Sequence, residues 1–165
     1  MWPIEDTSKQ KYSKMIKIFR TNSANTYFKT FVTKLDKELR ERYGQIQNSY
    51  DQYNIIESCD TVVIVKENNN LIGCGCFKKY NEDTVEIKRM YIDTKYRGLG
   101  ISKKILGELE SWANELGYKY TILETGFKQP ESIGLYKKSG YQTIDNYGQY
   151  KGMDTSVCMK KQISE

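Results

Sequence analysis

The first half of the chain is dominated by short stretches in which apolar and polar residues alternate or β-branched residues cluster. Such stretches are typical of β-strands, whose successive side chains point to opposite faces. The pattern occurs in four segments, at residues 15–20, 61–66, 71–80 and 84–92. Turn-forming residues at 67–70 and 81–83 join the last three segments, which are therefore predicted to form an antiparallel meander.

One helical segment interrupts these strands. Apolar residues recur three and four positions apart over residues 27–42, which predicts an amphipathic helix that Gly44 ends. The polar, tyrosine-bearing stretch at residues 45–58 is interpreted as a loop with room for one helical turn. The first 13 residues are polar and charged, and whether they form a disordered lead is left open.

The second half of the chain changes to helical periodicity. Residues 101–116 carry an apolar face along about four turns and end at Gly117, and Pro130 begins a second helix over residues 130–138. Strands are predicted at residues 120–125, 141–144 and 156–159. The order of elements predicts an α+β fold in a single domain, 1–165, with helices on both sides of a central mixed sheet.

Composition is that of a folded globular protein. The chain has 165 residues, which suits one domain, and its 13% of aromatic residues excludes a disordered chain. No stretch of the sequence reaches the ~20 apolar residues that a membrane span needs, and the charged first 14 residues lack the apolar core of a signal peptide. We therefore expect a soluble, cytoplasmic protein with no membrane partner.

Charge and histidine content narrow the chemistry. The net charge is +5, and basic and acidic residues are interspersed, so the sequence lacks the concentrated basic stripe that predicts a nucleic-acid partner. The chain has no histidine, which removes the commonest general base and the commonest transition-metal ligand together. Proton transfer near neutral pH must then use Glu, Asp, Tyr, Cys, Lys, a terminal amine or water, and we expect no metal.

The cysteines do not form a metal or redox motif. Cys74 and Cys76 lie two apart in a predicted strand and so share one face, but the second clustered pair of a zinc site and the redox C-x-x-C motif are both missing. The four cysteines are Cys59, Cys74, Cys76 and Cys158. We predict that they are buried free thiols that pack as small hydrophobic side chains.

The most informative segment joins the strand at 84–92 to the helix at 101–116. Its sequence is Arg97-Gly98-Leu99-Gly100-Ile101-Ser102-Lys103, so a glycine-bearing loop begins an amphipathic helix. Free N–H groups and the positive end of the helix dipole then face one point, which favours an anion, and the glycines permit close approach of a phosphate. The spacing matches neither a P-loop nor a dinucleotide fingerprint, and taken alone a tight turn explains it equally well.

This segment resembles the acyl-CoA pyrophosphate loop of the GNAT superfamily of N-acetyltransferases, Q/R-x-x-G-x-G/A, with Arg97, Gly100 and Ser102 at the motif positions. The stretch at residues 129–141, which contains Leu-Tyr-Lys-Lys-Ser-Gly-Tyr, is similar to the later strand–helix–strand block of the same family. The resemblance covers roughly residues 59–160.

The resemblance implies a mostly antiparallel sheet with splayed central strands, and an enzyme that transfers an acetyl group from acetyl-CoA to a primary amine. The residues expected to contact the co-substrate are Met90, Tyr91, Ile92, Arg97, Gly98, Leu99, Gly100, Ile101, Ser102 and Lys103. The acceptor is a small-molecule or peptide amine that the sequence does not identify, and a homodimer is left open. A non-catalytic acyl-CoA sensor or interaction domain and a basic nucleic-acid-binding module remain the alternatives.

The resemblance also implies that Tyr136 is the general acid that protonates the departing thiolate. A phenol with an ordinary pKa of about 10 is protonated at neutral pH, as a proton donor must be. The alternative is that Tyr136 faces the core together with Ile133, since the two lie three residues apart on a predicted helix.

The leading candidate for the base is Glu86, on the strand that enters the loop, and its rivals are Glu124 on a neighbouring predicted strand and water. Strand alternation places Glu86, Lys88, Met90 and Ile92 on one face. A structural pairing of Glu86 with Lys88 is therefore the alternative to a catalytic role.

Overall fold

A computed structural model describes residues 15–54 and 58–165, and the lead considered at residues 1–13 lies outside them. The strands are β1 (Ile16–Thr21), β2 (Val62–Glu67), β3 (Asn70–Lys79), β4 (Thr84–Ile92), β5 (Tyr120–Gly126), β6 (Gln142–Ile144) and β7 (Ser156–Gln162). They form one sheet in the order β1-β2-β3-β4-β5-β7-β6. Neighbouring strands are antiparallel except β4 and β5, which are parallel. The predicted α+β fold is confirmed.

The described residues form four α-helices, α1 (Thr26–Tyr43), α2 (Asn48–Asn54), α3 (Ile101–Glu115) and α4 (Pro130–Lys138). The Asn25 side chain caps α1 by accepting hydrogen bonds from the first free N–H groups, and Gly44 ends the helix with φ of +58°. Residues 45–58 were predicted to be a loop with room for one helical turn, and they contain more helix than that, a 3-10 turn (Gly44–Gln47) followed by α2. Its helical structure depends on tertiary contacts, because the Tyr50 side chain packs on Tyr150 and hydrogen bonds Ser156.

The two faces of the sheet carry separate hydrophobic cores. On one face, α3 buries Ile105, Leu106 and Leu109 against the central strands. On the other face, α1 buries Phe28 and Phe31 against a smaller cluster of apolar side chains. Helices pack on both faces of the central strands. An irregular backbone conformation in these strands is therefore held by close packing on both sides.

Strand β4 contains one residue more than the facing part of β3. Cys74 lies opposite Tyr91, whereas Cys76 lies opposite Lys88, so two residues of β4 face the single residue Gly75. This is a β-bulge, and Arg89 accommodates it with φ of +57°, a left-handed conformation that is rare outside glycine.

The sequence predicts that Glu86, Lys88, Met90 and Ile92 share one face. This prediction is wrong, because the bulge interrupts the alternation after Lys88. Glu86 and Lys88 do share a face and form an ion pair. Beyond the extra residue the alternation is inverted, so Met90 and Ile92 pack with the core beneath α3, and Tyr91 packs with the core beneath α1.

The parallel pair β4–β5 is short. It extends from Thr84 opposite Tyr120 to Ile87 opposite Leu123, after which β4 turns away at the bulge while β5 continues alongside β7. The two central strands therefore splay apart and leave a cleft between residues 88–92 and residues 124–126.

Two glycines of β3 let β4 and α3 approach closely. A Cβ atom added at Gly75 would lie 2.5 Å from the Met90 sulfur and 3.0 Å from Ile105, and one added at Gly73 would lie 2.6 Å from the backbone oxygen of Tyr91. Beside these two glycines the space on this side of the sheet is therefore filled by side chains of β4 and α3.

We expect Gly73→Ala to lower the free energy of unfolding by about 1–3 kcal/mol, because the new methyl group meets a backbone oxygen that cannot rotate away. Gly107→Ala is the matched control, since position 107 lies in α3 with open space around it. Its helix propensity should raise the free energy of unfolding by up to about 1 kcal/mol. Urea unfolding followed by circular dichroism measures both, and equal shifts in the same direction would contradict the close approach.

Candidate active site

The cleft between the splayed strands holds two adjoining cavities. The larger has a volume of about 360 Å³ and lies between the end of β4 and the start of α3. It is lined by all the residues predicted to contact the co-substrate except Leu99. Leu99 is 61% exposed and does not line this cavity.

The loop before α3 presents backbone groups to the larger cavity. Gly98 and Gly100 both have left-handed backbones, with φ of +78° and +77°. The first bond within the helix runs from the Lys104 N–H to the Gly100 carbonyl, so the N–H groups of residues 101–103 precede the helical ladder. These groups and the positive end of the helix dipole are the features on which the prediction of an anion site rests.

The Arg97 guanidinium is held by protein partners in the wall of the larger cavity. Its Nε donates to the Ile92 carbonyl at 2.9 Å, and its two Nη atoms donate to the Glu38 carboxylate of α1 at 3.0 and 2.6 Å. Glu38 also accepts a bond from Arg42, which forms an ion pair with Glu131 of α4. We call this series the Arg97–Glu131 ion chain, and nothing in the spacing of the sequence predicted it.

The smaller cavity, of about 110 Å³, shares part of its wall with the larger one. Residues that line both include Met90, Gln129, Ser132 and Tyr136. The Tyr136 side chain is only 6% exposed, and its ring packs on Tyr141. Burial, reinforced by the charge of Glu124, raises the Tyr136 pKa above its ordinary value.

Glu124 lines the smaller cavity from the part of β5 that no longer pairs with β4. Burial raises its pKa to about 7, an effect that outweighs a hydrogen bond with Ser156 and the positive charge of Lys88. A buried carboxyl group that titrates near neutral pH can exchange a proton there, which is the property required of a general base.

Glu86 lines neither cavity. One of its carboxylate oxygens accepts a hydrogen bond from the Tyr147 hydroxyl at 2.5 Å, and the other accepts one from Lys88 at 3.3 Å. The Lys88 ammonium also donates to the Tyr53 carbonyl of α2 at 2.9 Å. Glu86 therefore belongs to a polar network that connects the sheet to α2 and to the segment before β7.

The first helical region supplies much of the smaller cavity, which the sequence did not predict. Its lining residues from this region are Leu35, Leu39, Tyr43, Gln47 and Tyr50. The Tyr43 hydroxyl, at the end of α1, donates to the Gln129 side chain at 3.3 Å, and Gln129 lies just before α4. Leu35 and Leu39 belong to the apolar periodicity of this helix, which indicates a buried face but does not distinguish a core from a cavity.

Within the described ranges, no helix is both long and apolar enough to cross a membrane, and no cluster of three His, Cys, Asp or Glu side chains is arranged to hold a metal ion. The four cysteines are free and buried, as predicted. The thiols of Cys74 and Cys76 hydrogen bond to the carbonyls of Arg89 and Lys88, so they contact the bulge of β4.

Comparison with known proteins gives the same family at the levels of sequence and structure. The model of the acetyltransferase (GNAT) family matches residues 23–141. The chain is 27% identical over 134 residues to an IAA acetyltransferase of Azospirillum brasilense. The aligned segment covers 80% of this chain and 88% of that protein.

Solved structures show the same fold. A candidate acyl-CoA N-acyltransferase from Klebsiella pneumoniae superposes with a TM-score of 0.75 and 27% identity, covering 91% of this chain and 99% of that one. A GNAT family acetyltransferase from Elizabethkingia anophelis, solved with acetyl-CoA bound, superposes with a TM-score of 0.64 and 19% identity, covering 89% and 97%. With the family match over residues 23–141 and the splayed β4–β5 pair, this chain belongs to the GNAT family of N-acetyltransferases.

Proposed function

We propose that this protein transfers an acetyl group from acetyl-CoA to a primary amine, forming an amide and releasing CoA. The observation that carries the proposal is the meeting of two cavities at Tyr136 in the cleft between β4 and β5. One cavity has an anion site made of backbone groups, and the other has a carboxyl group that titrates near neutral pH. The acetyl-CoA bound to a protein of the same fold supports the choice of co-substrate.

In this proposal the larger cavity binds CoA. The N–H groups at the start of α3 bind the pyrophosphate, and Lys103, which lines the same cavity, adds positive charge. Residues 88–92 of β4 have no pairing with β5, so the backbone groups on that side are available to the pantetheine arm. A backbone N–H of this segment also binds the thioester oxygen as negative charge develops on it.

The smaller cavity binds the amine, with Glu124 as base and Tyr136 as acid. Glu124 takes the proton that the amine loses while its nitrogen bonds to the thioester carbonyl carbon. The carbon–sulfur bond breaks, and Tyr136 gives its proton to the sulfur. The raised pKa of Tyr136 keeps the phenol protonated until charge develops on the sulfur.

We prefer Glu124 to Glu86 as the general base because of where its carboxyl group lies. Glu124 lines the cavity next to Tyr136, whereas both carboxylate oxygens of Glu86 are engaged by Tyr147 and Lys88 outside it. A base must come within hydrogen-bond reach of the proton that it removes, directly or through one water. Glu124 meets that requirement for an amine in the smaller cavity.

Gly100→Val should weaken CoA binding at least about tenfold, or about 1.4 kcal/mol, because a branched side chain would protrude at the phosphate site. Gly152→Val is the control, since Gly152 has nearly the same left-handed backbone (φ of +78°), also has open space, and lines neither cavity. Both variants carry the same backbone strain, so calorimetry with CoA separates strain from the loss of contact. A wild-type protein that binds no CoA would overturn the proposed function.

Tyr136→Phe should reduce turnover about 10- to 1000-fold, because the ring remains and the proton donor is lost, while CoA affinity stays unchanged. Tyr141→Phe serves as control, since this buried neighbouring tyrosine lines neither cavity. Release of free thiol from acetyl-CoA measures turnover in both. Normal turnover by Tyr136→Phe would leave Tyr136 as a packing residue only.

With rates referred to the concentration of free amine, Glu124→Gln should abolish the rise of kcat/KM with pH near pH 7, because a base with a pKa of about 7 becomes active as it loses its proton there. Glu86→Gln should retain that rise. The amine's own deprotonation contributes to the same limb, so both variants and the wild type are compared with one acceptor. A limb lost in Glu86→Gln and kept in Glu124→Gln would make Glu86 the base, and a limb kept in both would assign the role to water.

A further inference from the structure

The Tyr50 side chain of α2 lies at the centre of a group of hydroxyls beside the smaller cavity. Its hydroxyl is hydrogen bonded to the Ser156 hydroxyl at 2.7 Å and also to the Thr155 hydroxyl. The Tyr50 ring is only 9% exposed and stacks on Tyr150, so the hydroxyl is held in one place. Tyr50 and Thr155 line the smaller cavity together with Glu124.

The register of β5 and β7 brings Ser156 to the Glu124 carboxyl group. Glu124 lies opposite Cys158, and Gly126 lies opposite Ser156. Residues 156 and 158 are two apart on one strand and point to the same face, so the Ser156 side chain is a diagonal neighbour of Glu124. A long side chain reaches such a neighbour, and the Ser156 hydroxyl hydrogen bonds to the Glu124 carboxyl group.

The direction of these hydrogen bonds follows from counting protons. Each hydroxyl group has one proton to donate, and an ionised carboxylate can only accept. Ser156 therefore donates to ionised Glu124 and accepts from Tyr50, and Tyr50 in turn accepts from Thr155. One series, from Thr155 through Tyr50 and Ser156 to Glu124, satisfies all of these bonds. We call it the hydroxyl chain.

Other ionisable groups face Glu124, but within the described ranges none of them donates a hydrogen bond to it. The positive charge of Lys88 favours the ionised form, and the negative charge of Glu86, which is paired with Lys88, opposes it. Arg89 lines the same cavity and forms an ion pair with Asp36 of α1. The remaining neighbours have raised pKa values and are uncharged near pH 7. They are Tyr43 of α1, Tyr136 of α4, Tyr150 before β7, and Cys158 of β7.

We propose that Tyr50 and Ser156 are positioning residues of Glu124, because the hydroxyl chain holds the carboxyl group at the smaller cavity and stabilises the ionised form that accepts a proton. A hydrogen bond to an ionised acceptor is roughly twice as strong as one to a neutral acceptor, so the chain favours ionised Glu124. This inference rests on the proposed function, in which Glu124 is the base. It gives α2 a role in the reaction, since this helix carries Tyr50.

The titration of Glu124 tests the hydroxyl chain without turnover. Infrared spectroscopy of the protein, without acetyl-CoA or amine, follows the C=O band of the protonated carboxyl group, which Glu124→Gln identifies by removing it. The wild-type midpoint is expected at about pH 7. Ser156→Ala should raise the midpoint by about one pH unit, because the ionised form loses its donor. Tyr50→Phe should raise it by about 0.3 pH unit, because the Ser156 hydroxyl is no longer polarised by a donor.

Tyr53→Phe is the matched control. Tyr53 lies one turn further along α2 and packs on the same Tyr150 ring, but its hydroxyl bonds to no described residue and it lines neither cavity. Its midpoint should stay at the wild-type value. Unchanged midpoints in both Ser156→Ala and Tyr50→Phe would overturn the inference. It would also fail if Tyr53→Phe shifted the midpoint as much as Tyr50→Phe, or if Glu124→Gln removed no titrating band.

Turnover separates this inference from the proposed function. With the acceptor used for Glu124→Gln above, the rise of kcat/KM with pH should move by the same amount as the infrared midpoint in each variant. A rise that stays in place while the midpoint moves would overturn the positioning role. A protein that shows the shifted midpoints but transfers no acetyl group to amines would contradict the proposed function, whereas the effect of the hydroxyl chain on Glu124 would stand.

Discussion

The left-handed backbone of Arg89 costs about 1–3 kcal/mol in a residue other than glycine, so the surrounding contacts must hold it. The ion pair with Asp36 fixes the Arg89 side chain to α1. From the facing strand, the thiols of Cys74 and Cys76 donate hydrogen bonds to the carbonyls of Arg89 and Lys88, both at 3.3 Å. Small buried thiols thus provide weak donors at a place where the regular ladder of the sheet is interrupted.

The cleft follows from that irregularity. Because β4 turns away after Ile87, its last five residues and the end of β5 no longer share hydrogen bonds, and the space between them reaches both faces of the sheet. Gly73 and Gly75 leave room on the α3 side, so Met90 fills the position that a β3 side chain would otherwise occupy. The cleft is therefore lined by backbone groups that are held by packing and not by strand pairing.

The loop from Gly98 to Lys103 could be placed from the sequence because its residues are contiguous and its helix has strong periodicity. The faces of Met90 and Ile92 could not, because Arg89 carries no local sign of a left-handed backbone. The only sign lay on the facing strand β3, where residues 73–76 are all small (Gly-Cys-Gly-Cys). The extent of α2 was underestimated for a related reason, since this helix depends on contacts with residues about a hundred positions away.

The Arg97–Glu131 ion chain has a consequence for how the proposed anionic co-substrate would enter the larger cavity. Its members are partly exposed, so dissolved salt screens the pairs that hold the Arg97 guanidinium on α1. Salt also screens the attraction between an approaching phosphate and the start of α3. The two effects oppose each other. Added ions weaken the attraction between the ligand and the start of α3, but they also weaken the ion pairs of Arg97, whose guanidinium is then free to pair with the ligand. For the proposed co-substrate, we therefore expect the association rate to depend on ionic strength less steeply than the charges around the loop alone would require.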